Sequence, residues 1–211
     1  MVSLAVWFSL LTASVVISFT PGAGAINTMS NALNEGWRRS IWGIIGQQIA
    51  LVVHVAIVAA GLGLLVSRSE VLFNGIRYAG AAYLVFLGIR LILTKPIVVL
   101  VDDDIASAQS REGRWSMIRR GFWVNLLNPK AIVFFLAFIP QFIRLDEAPV
   151  PQYLTLVATV IVVDVLVMWG FFATAARPFR RLTRSARGQR TLNAVFGTLF
   201  IAVAALLVFM H

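Results

Sequence analysis

The chain has 211 residues, 59% of them hydrophobic and 13% charged, with no cysteine and a formal net charge of +9. Soluble domains carry about 25% charged residues, so this composition excludes an ordinary soluble globular class and indicates a polytopic membrane protein. Without cysteine there are neither disulfides nor thiolate metal sites, and the length is expected to hold a single membrane domain over 1–211 with no separate soluble domain.

A span needs about 20 mostly apolar residues. Six segments are expected: Leu4 to about Ala25, Ile41–Val66, Val71–Leu93, Gly121–Ile143, Tyr153–Ala175 and Leu192–Met210. The start, Met1-Val-Ser-Leu-Ala-Val-Trp, lacks the basic n-region and small-residue cleavage site of a signal peptide, so the first run is expected to remain as a span.

The first segment is interrupted by Pro21-Gly22. Proline removes a backbone donor and glycine loosens the helix. If the helix restarts after the break, its free amides form a positive end inside the membrane, which suits a carboxylate or phosphate. Thr20, Asn27, Thr28, Ser30 and Asn31 follow on or near this half-helix and can line a wet path. A simple proline kink is the plainer alternative.

The second segment carries Gln47, Gln48 and His54. His54 can relay protons or serve as a hydrogen-bond donor between helices. In the third, Gly75, Gly80, Ala81, Ala82 and Gly88 favour close helix packing, and Arg77 is expected to snorkel to the outer interface. Pro96 closes this segment, and a linker of roughly 96–115 contains Asp102-Asp103-Asp104, which reads as a solvated loop rather than a metal site.

The fourth segment repeats the break with a fixed cation, at Asn125 and Asn128-Pro129-Lys130. Asn128 suits the N-cap of a restarted helix and Pro129 its first position. Lys130 adds full charge to the dipole end, or snorkels on its long stem. In the fifth segment Asp164 has about eleven apolar-segment residues on each side and is beyond snorkelling reach. A charge at mid-bilayer costs roughly 2.5–3.5 kcal/mol, so Asp164 must pair with Lys130, take up a proton or face water. Taking up a proton is the behaviour of a proton carrier.

Lysine and arginine set the orientation. Fourteen cations fall on one side: Arg38, Arg39, Arg90, Lys95, Arg111, Arg114, Arg119, Arg120, Arg177, Arg180, Arg181, Arg184, Arg187 and Arg190. Three, Arg68, Arg77 and Arg144, fall on the other. The basic side is therefore expected to be cytoplasmic, against anionic headgroups of the lipid bilayer, with both termini outside. The same distribution speaks against nucleic acid as a partner.

Pro21 and Pro129 are 108 residues apart, and the same shift carries the second segment almost onto the fifth. The expected fold is all-α: six transmembrane helices in two three-helix repeats, about 1–95 and 116–211, with broken first and fourth helices. Three spans per repeat is an odd number, so the second repeat is inverted, as in many secondary transporters whose site lies where the repeats meet. No H-E-x-x-H, G-x-S-x-G or P-loop occurs, and His54 and His211 are the only histidines, so no enzyme chemistry and no metal site are expected.

At these residues the chain resembles the lysine exporter (LysE) superfamily, specifically the RhtB-type homoserine/threonine exporters. The similar blocks are Ser18-Phe-Thr-Pro-Gly22, Gly80-Ala-Ala-Tyr-Leu-Val-Phe-Leu-Gly-Ile89, and Asn125-Leu-Leu-Asn-Pro-Lys-Ala-Ile-Val-Phe-Phe-Leu-Ala-Phe-Ile-Pro-Gln-Phe142. The family's second proline and following asparagine are replaced by Ala23 and Gly24, with Asn27 as a substitute three residues later. The resemblance implies export of an amino acid or derivative from the bacterial cytoplasm across the inner membrane. It also implies proton exchange, no bound cofactor and a homodimer. On this reading Thr20, Pro21, Gly22, Asn27, Asn125, Asn128, Pro129 and Lys130 hold the solute, while Asp164 and His54 handle the proton. The competing readings are an exporter of another small solute or cation, and a membrane interaction protein that transports nothing.

Overall fold

Backbone amides and carbonyls have no water to bond with inside a bilayer, so a spanning chain must either stay helical or satisfy each break with side chains. The structure, a computed structural model, describes residues 4–66, 70–95, 111–144, 147–183 and 185–209. Arg68, Arg184 and the linker carrying Asp102, Asp103 and Asp104 lie outside the described residues.

Every described element is helical. Half-helices α1 (Leu4–Phe19) and α2 (Ala23–Asn34) are followed by the long helices α3 (Ile41–Val66) and α4 (Glu70–Leu93). Half-helices α5 (Arg114–Leu126) and α6 (Pro129–Phe142) lead to α7 (Pro149–Val165), which continues as a π-helix over Leu166–Phe172. The short α8 (Ala176–Thr183) and the long α9 (Ala186–Phe209) complete the order. Four of these helices are long and apolar enough to cross a membrane, and counting each bent pair as one span gives six. The bends are 57° between α1 and α2 and 60° between α5 and α6.

Four boundaries differ from the sequence reading by four residues or more: the first segment runs on to Asn34 rather than about Ala25, and the fifth begins at Pro149 rather than Tyr153. The fourth segment begins at Arg114 rather than Gly121, and the sixth at Ala186 rather than Leu192. These last two extensions are polar first turns, which hydropathy hides but helical hydrogen bonding does not.

Small residues set the closest approaches, as expected where helices pack without a hydrophobic drive between them. A Cβ on Gly46 of α3 would stand 2.0 Å from the Ile118 carbonyl of α5, and one on Gly121 of α5 would stand 2.0 Å from the Gly43 carbonyl of α3. Between α4 and α9, Gly88 and Gly197 face each other's carbonyls at 2.6 Å by the same measure. The apolar core is built largely on α6, where Phe134, Phe138 and Phe142 stack in series.

Arg77 departs from its expected snorkelling. It is buried, and its Nε donates to the Leu207 carbonyl at 2.8 Å and Nη2 to that of Val208. The last carbonyls of α9 have no intrahelical partner, and the guanidinium of α4 supplies the donors.

A second clasp joins the α2–α3 turn to the π-helix. The Trp37 indole donates to the Trp169 carbonyl at 3.1 Å, and Trp169 returns a bond to the Trp37 carbonyl at 3.2 Å. Their rings stack with centroids 4.4 Å apart.

Candidate functional site

The two breaks meet. Gly22, the N-cap residue of α2, has extended backbone and no side-chain cap. A Cβ placed on it would lie 3.3 Å from Lys130 Cε and 3.6 Å from Asn128 Nδ2. The Asn128 side chain accepts from the Lys130 amide at 3.1 Å, and Pro129 takes the first helical position of α6. The sequence therefore builds the second break locally: an N-cap asparagine, then a proline that needs no donor partner.

Lys130 is buried and points across the break. Its Nζ donates to the Ile17 carbonyl at 3.0 Å and to the Thr20 carbonyl. Both belong to the end of α1, where carbonyls are orphaned and the dipole is negative. The other half-helix end is served in the same manner. His54 Nε2 donates to the Leu126 carbonyl at 3.1 Å, at the end of α5, and the imidazole stacks on Phe135 with centroids 5.5 Å apart. The acceptor is a carbonyl, which assigns the hydrogen to Nε2.

Asp164 sits on α7 one residue before its end, two residues ahead of the π-helix that begins at Leu166. π-Turns are frequent at functional sites. Ser18 Oγ donates to Asp164 Oδ1 at 3.1 Å, and Gln48 Nε2 donates to Oδ2 at 2.7 Å. Asp164 and Lys130 form no direct ion pair: the ammonium is held by carbonyls and the carboxylate by neutral donors. The two opposite charges face one cavity without touching. α1's carbonyl end lies nearer the ammonium and satisfies it.

Both charges line one cavity. About 50 Å³ of it is open to water centres, room for several waters at about 10–15 Å³ each. Ser18, Gly24, Gln47, Asn125 and Asn128 give its polar wall, and Ile17, Leu51, Phe134, Phe135, Val160 and Met168 its apolar one. Asn125 Nδ2 donates to the Gln47 carbonyl at 2.9 Å, and Gln47 Nε2 donates to the Gly24 carbonyl and to Thr28 Oγ1, each at 3.1 Å.

Of the sequence candidates, Asn125, Asn128, Lys130 and Asp164 line this cavity. Thr20 and Gly22 meet Lys130 at its edge, flanking Pro21, and Pro129 starts the helix behind Lys130. Asn27 lies farther along α2, and His54 is engaged with the end of α5. Sequence reasoning assigned no role to Ser18 and Gln48, the two donors to Asp164. The signal available for Gln48 was a pair of amides, with Gln47, two turns into a largely apolar segment.

A family model described as LysE type translocator matches residues 15–211. A homoserine/homoserine lactone efflux protein of Salmonella typhimurium is 43% identical over 201 residues, 95% of each chain. An uncharacterized membrane protein of Vibrio cholerae is 38% identical over 202 residues, 96% of each chain. A leucine efflux protein of an Enterobacter species is 27% identical over 196 residues, 92% of this chain and 91% of that one. No solved structure matches the chain.

Proposed function

We propose a function on one premise: the chain belongs to the LysE type translocator family. It exports a small amino acid or amino-acid derivative from the cytoplasm across the bacterial inner membrane, in exchange for protons, and both termini face outward. It is a carrier and not an enzyme. The observation that carries this reading is the cavity at two apposed helix breaks, lined by one ammonium and one carboxylate. A zwitterion complements that pair, with its carboxylate toward Lys130 and its ammonium toward Asp164.

The geometry suggests how the cycle runs. In this state Lys130 is spent on the end of α1. A solute carboxylate competes for the same donors and also meets the uncapped amide end of α2 at Gly22. Asp164 is held by two neutral donors that fit its ionised form. A proton or the solute ammonium can each neutralise it, and mutual exclusion at that one carboxylate gives antiport. His54 caps the end of α5 through Nε2, and its Nδ1, buried without a hydrogen-bond partner, is the nitrogen left for handling a proton alongside Asp164.

The cation-exporter alternative is disfavoured by Lys130 in the cavity wall, since like charges repel across a low-dielectric space. Efflux of homoserine, homoserine lactone and leucine from proteoliposomes under an imposed pH gradient tests the reading. Export of at least one supports it, and gradient-independent leakage of all three contradicts it.

A further inference from the structure

We infer that Asn27, Asn31 and Arg120 form a second binding station, for the carboxylate of the travelling solute, between the cavity and the basic side of the protein. The inference rests on the export reading above. It starts from the buried face of α2, where Gly24, Asn27, Thr28 and Asn31 recur at helical spacing and make one stripe. The stripe begins at the cavity, which Gly24 lines. Two members are satisfied, because Gln47 reaches both the Gly24 carbonyl and Thr28.

The two asparagines are not. The Nδ2 atoms of Asn27 and Asn31 are buried and have no hydrogen-bond partner. Arg120 fixes the orientation of the Asn31 amide: a guanidinium only donates, so Oδ1 must face it and Nδ2 must point away. Both amides turn toward the bare backbone of Gly43. A Cβ there would lie 2.2 Å from Asn31 Nδ2 and 3.3 Å from Asn27 Nδ2. Two free amide donors therefore converge, with a cation beside them. That set lacks an acceptor, and a carboxylate supplies two.

The station already holds a carboxylate at its mouth. Arg120 Nη2 lies 2.7 Å from Glu112 Oε2, and this pair is reached by water, with side chains 43% and 22% exposed. The Glu112 amide in turn donates to Glu35 Oε1 at 3.0 Å, and Glu35 pairs with Arg39 at 3.4 Å. An arriving solute carboxylate exchanges with that of Glu112 on Arg120, moves onto the Asn31 and Asn27 amides, and reaches the cavity past Gly24. The station thus selects solutes that carry a carboxylate over analogues that do not.

The test uses the full chain in proteoliposomes and compares L-homoserine, which has a carboxylate, with L-homoserine lactone, which has none. Asn31→Leu and Arg120→Gln are each expected to raise KM for homoserine about tenfold relative to KM for the lactone, with kcat for homoserine within about twofold of the unchanged protein. Glu112→Gln removes the resident competitor and is expected to lower KM for homoserine about threefold. Glu112 is partly exposed, at 22%, so Glu112→Gln guards the test if Asn31→Leu fails to fold. Equal changes in KM for both solutes, or a Glu112→Gln protein with raised KM for homoserine, overturn the station. A wild-type protein that exports neither solute overturns the export reading itself, which separates the two failures.

Discussion

Lys130 and Thr20 tie the two helix breaks together: the Nζ of the first turn of α6 donates to the carbonyl just past the end of α1. A single ammonium thereby caps one half-helix while belonging to the start of another. The same arrangement recurs at the end of α5, where His54 of α3 donates to Leu126. The C-terminal ends of α1 and α5 are each met by a side chain from another helix, which is how a bilayer protein keeps a broken helix.

Lys130→Met removes the cation and leaves the Ile17 and Thr20 carbonyls unsatisfied. Homoserine efflux from proteoliposomes is expected to fall more than about tenfold, with a lower thermal midpoint in detergent. Lys130→Arg keeps the charge and is expected to retain more of the stability than of the transport, because a planar fork does not reproduce the point charge. Equal efflux by Lys130→Met and the unchanged protein contradicts the role given to this residue.

The α3–α5 contact depends on bare glycine backbone. Gly46→Ala and Gly121→Ala each set a methyl group against a carbonyl 2.0 Å away. Overpacking of this kind costs about 1–3 kcal/mol, so both variants are expected to melt at lower temperature than the unchanged protein. Gly61→Ala meets nothing within 4 Å, and its midpoint is expected to hold or rise slightly. Melting curves of the three purified variants decide the matter.

Much of this was legible in the sequence because local chemistry wrote it there. Pro21-Gly22 and Asn128-Pro129 mark the breaks, since a missing donor and an N-cap side chain act within a few residues. Asp164 and Lys130 stand out because a charge in an apolar run is costly wherever the helix goes. The tertiary partners were not legible. Nothing near position 130 says that its ammonium reaches back to Ile17 and Thr20, and nothing near 164 points to Ser18 and Gln48. Arg77 was misread for the same reason: its acceptors lie on α9. The π-helix after Asp164 carries no proline to announce it, and α2 outlasts its apolar stretch because polar Asn27, Thr28 and Asn31 face protein, not lipid.

Gln48 is predicted to matter through Asp164 alone. Gln48→Leu deletes the 2.7 Å donor while keeping the side chain's bulk. Gradient-driven homoserine export is expected to fall several-fold, about 1 kcal/mol or more of lost interaction with a charged acceptor, and to vary with pH differently from the unchanged protein. A Gln48→Leu protein with the wild-type pH profile of export removes Gln48 from the proton-coupling step.

The proposed orientation makes its own prediction. With fourteen cations on one side and three on the other, it puts the basic side in the cytoplasm. A C-terminal alkaline phosphatase fusion in a bacterium is expected to be active. A silent phosphatase with an active cytoplasmic reporter at the same end reverses the topology and the direction of transport inferred from it.

The most direct test of proton-coupled export is made on Asp164→Asn, which stands for the permanently protonated carboxyl at nearly unchanged volume. Purified, folded Asp164→Asn protein in proteoliposomes is expected to lose homoserine efflux driven by a pH gradient, by more than about tenfold. Exchange of internal for external homoserine, which needs no proton release, is expected to persist. Gradient-driven efflux by Asp164→Asn at the rate of the unchanged protein contradicts the account.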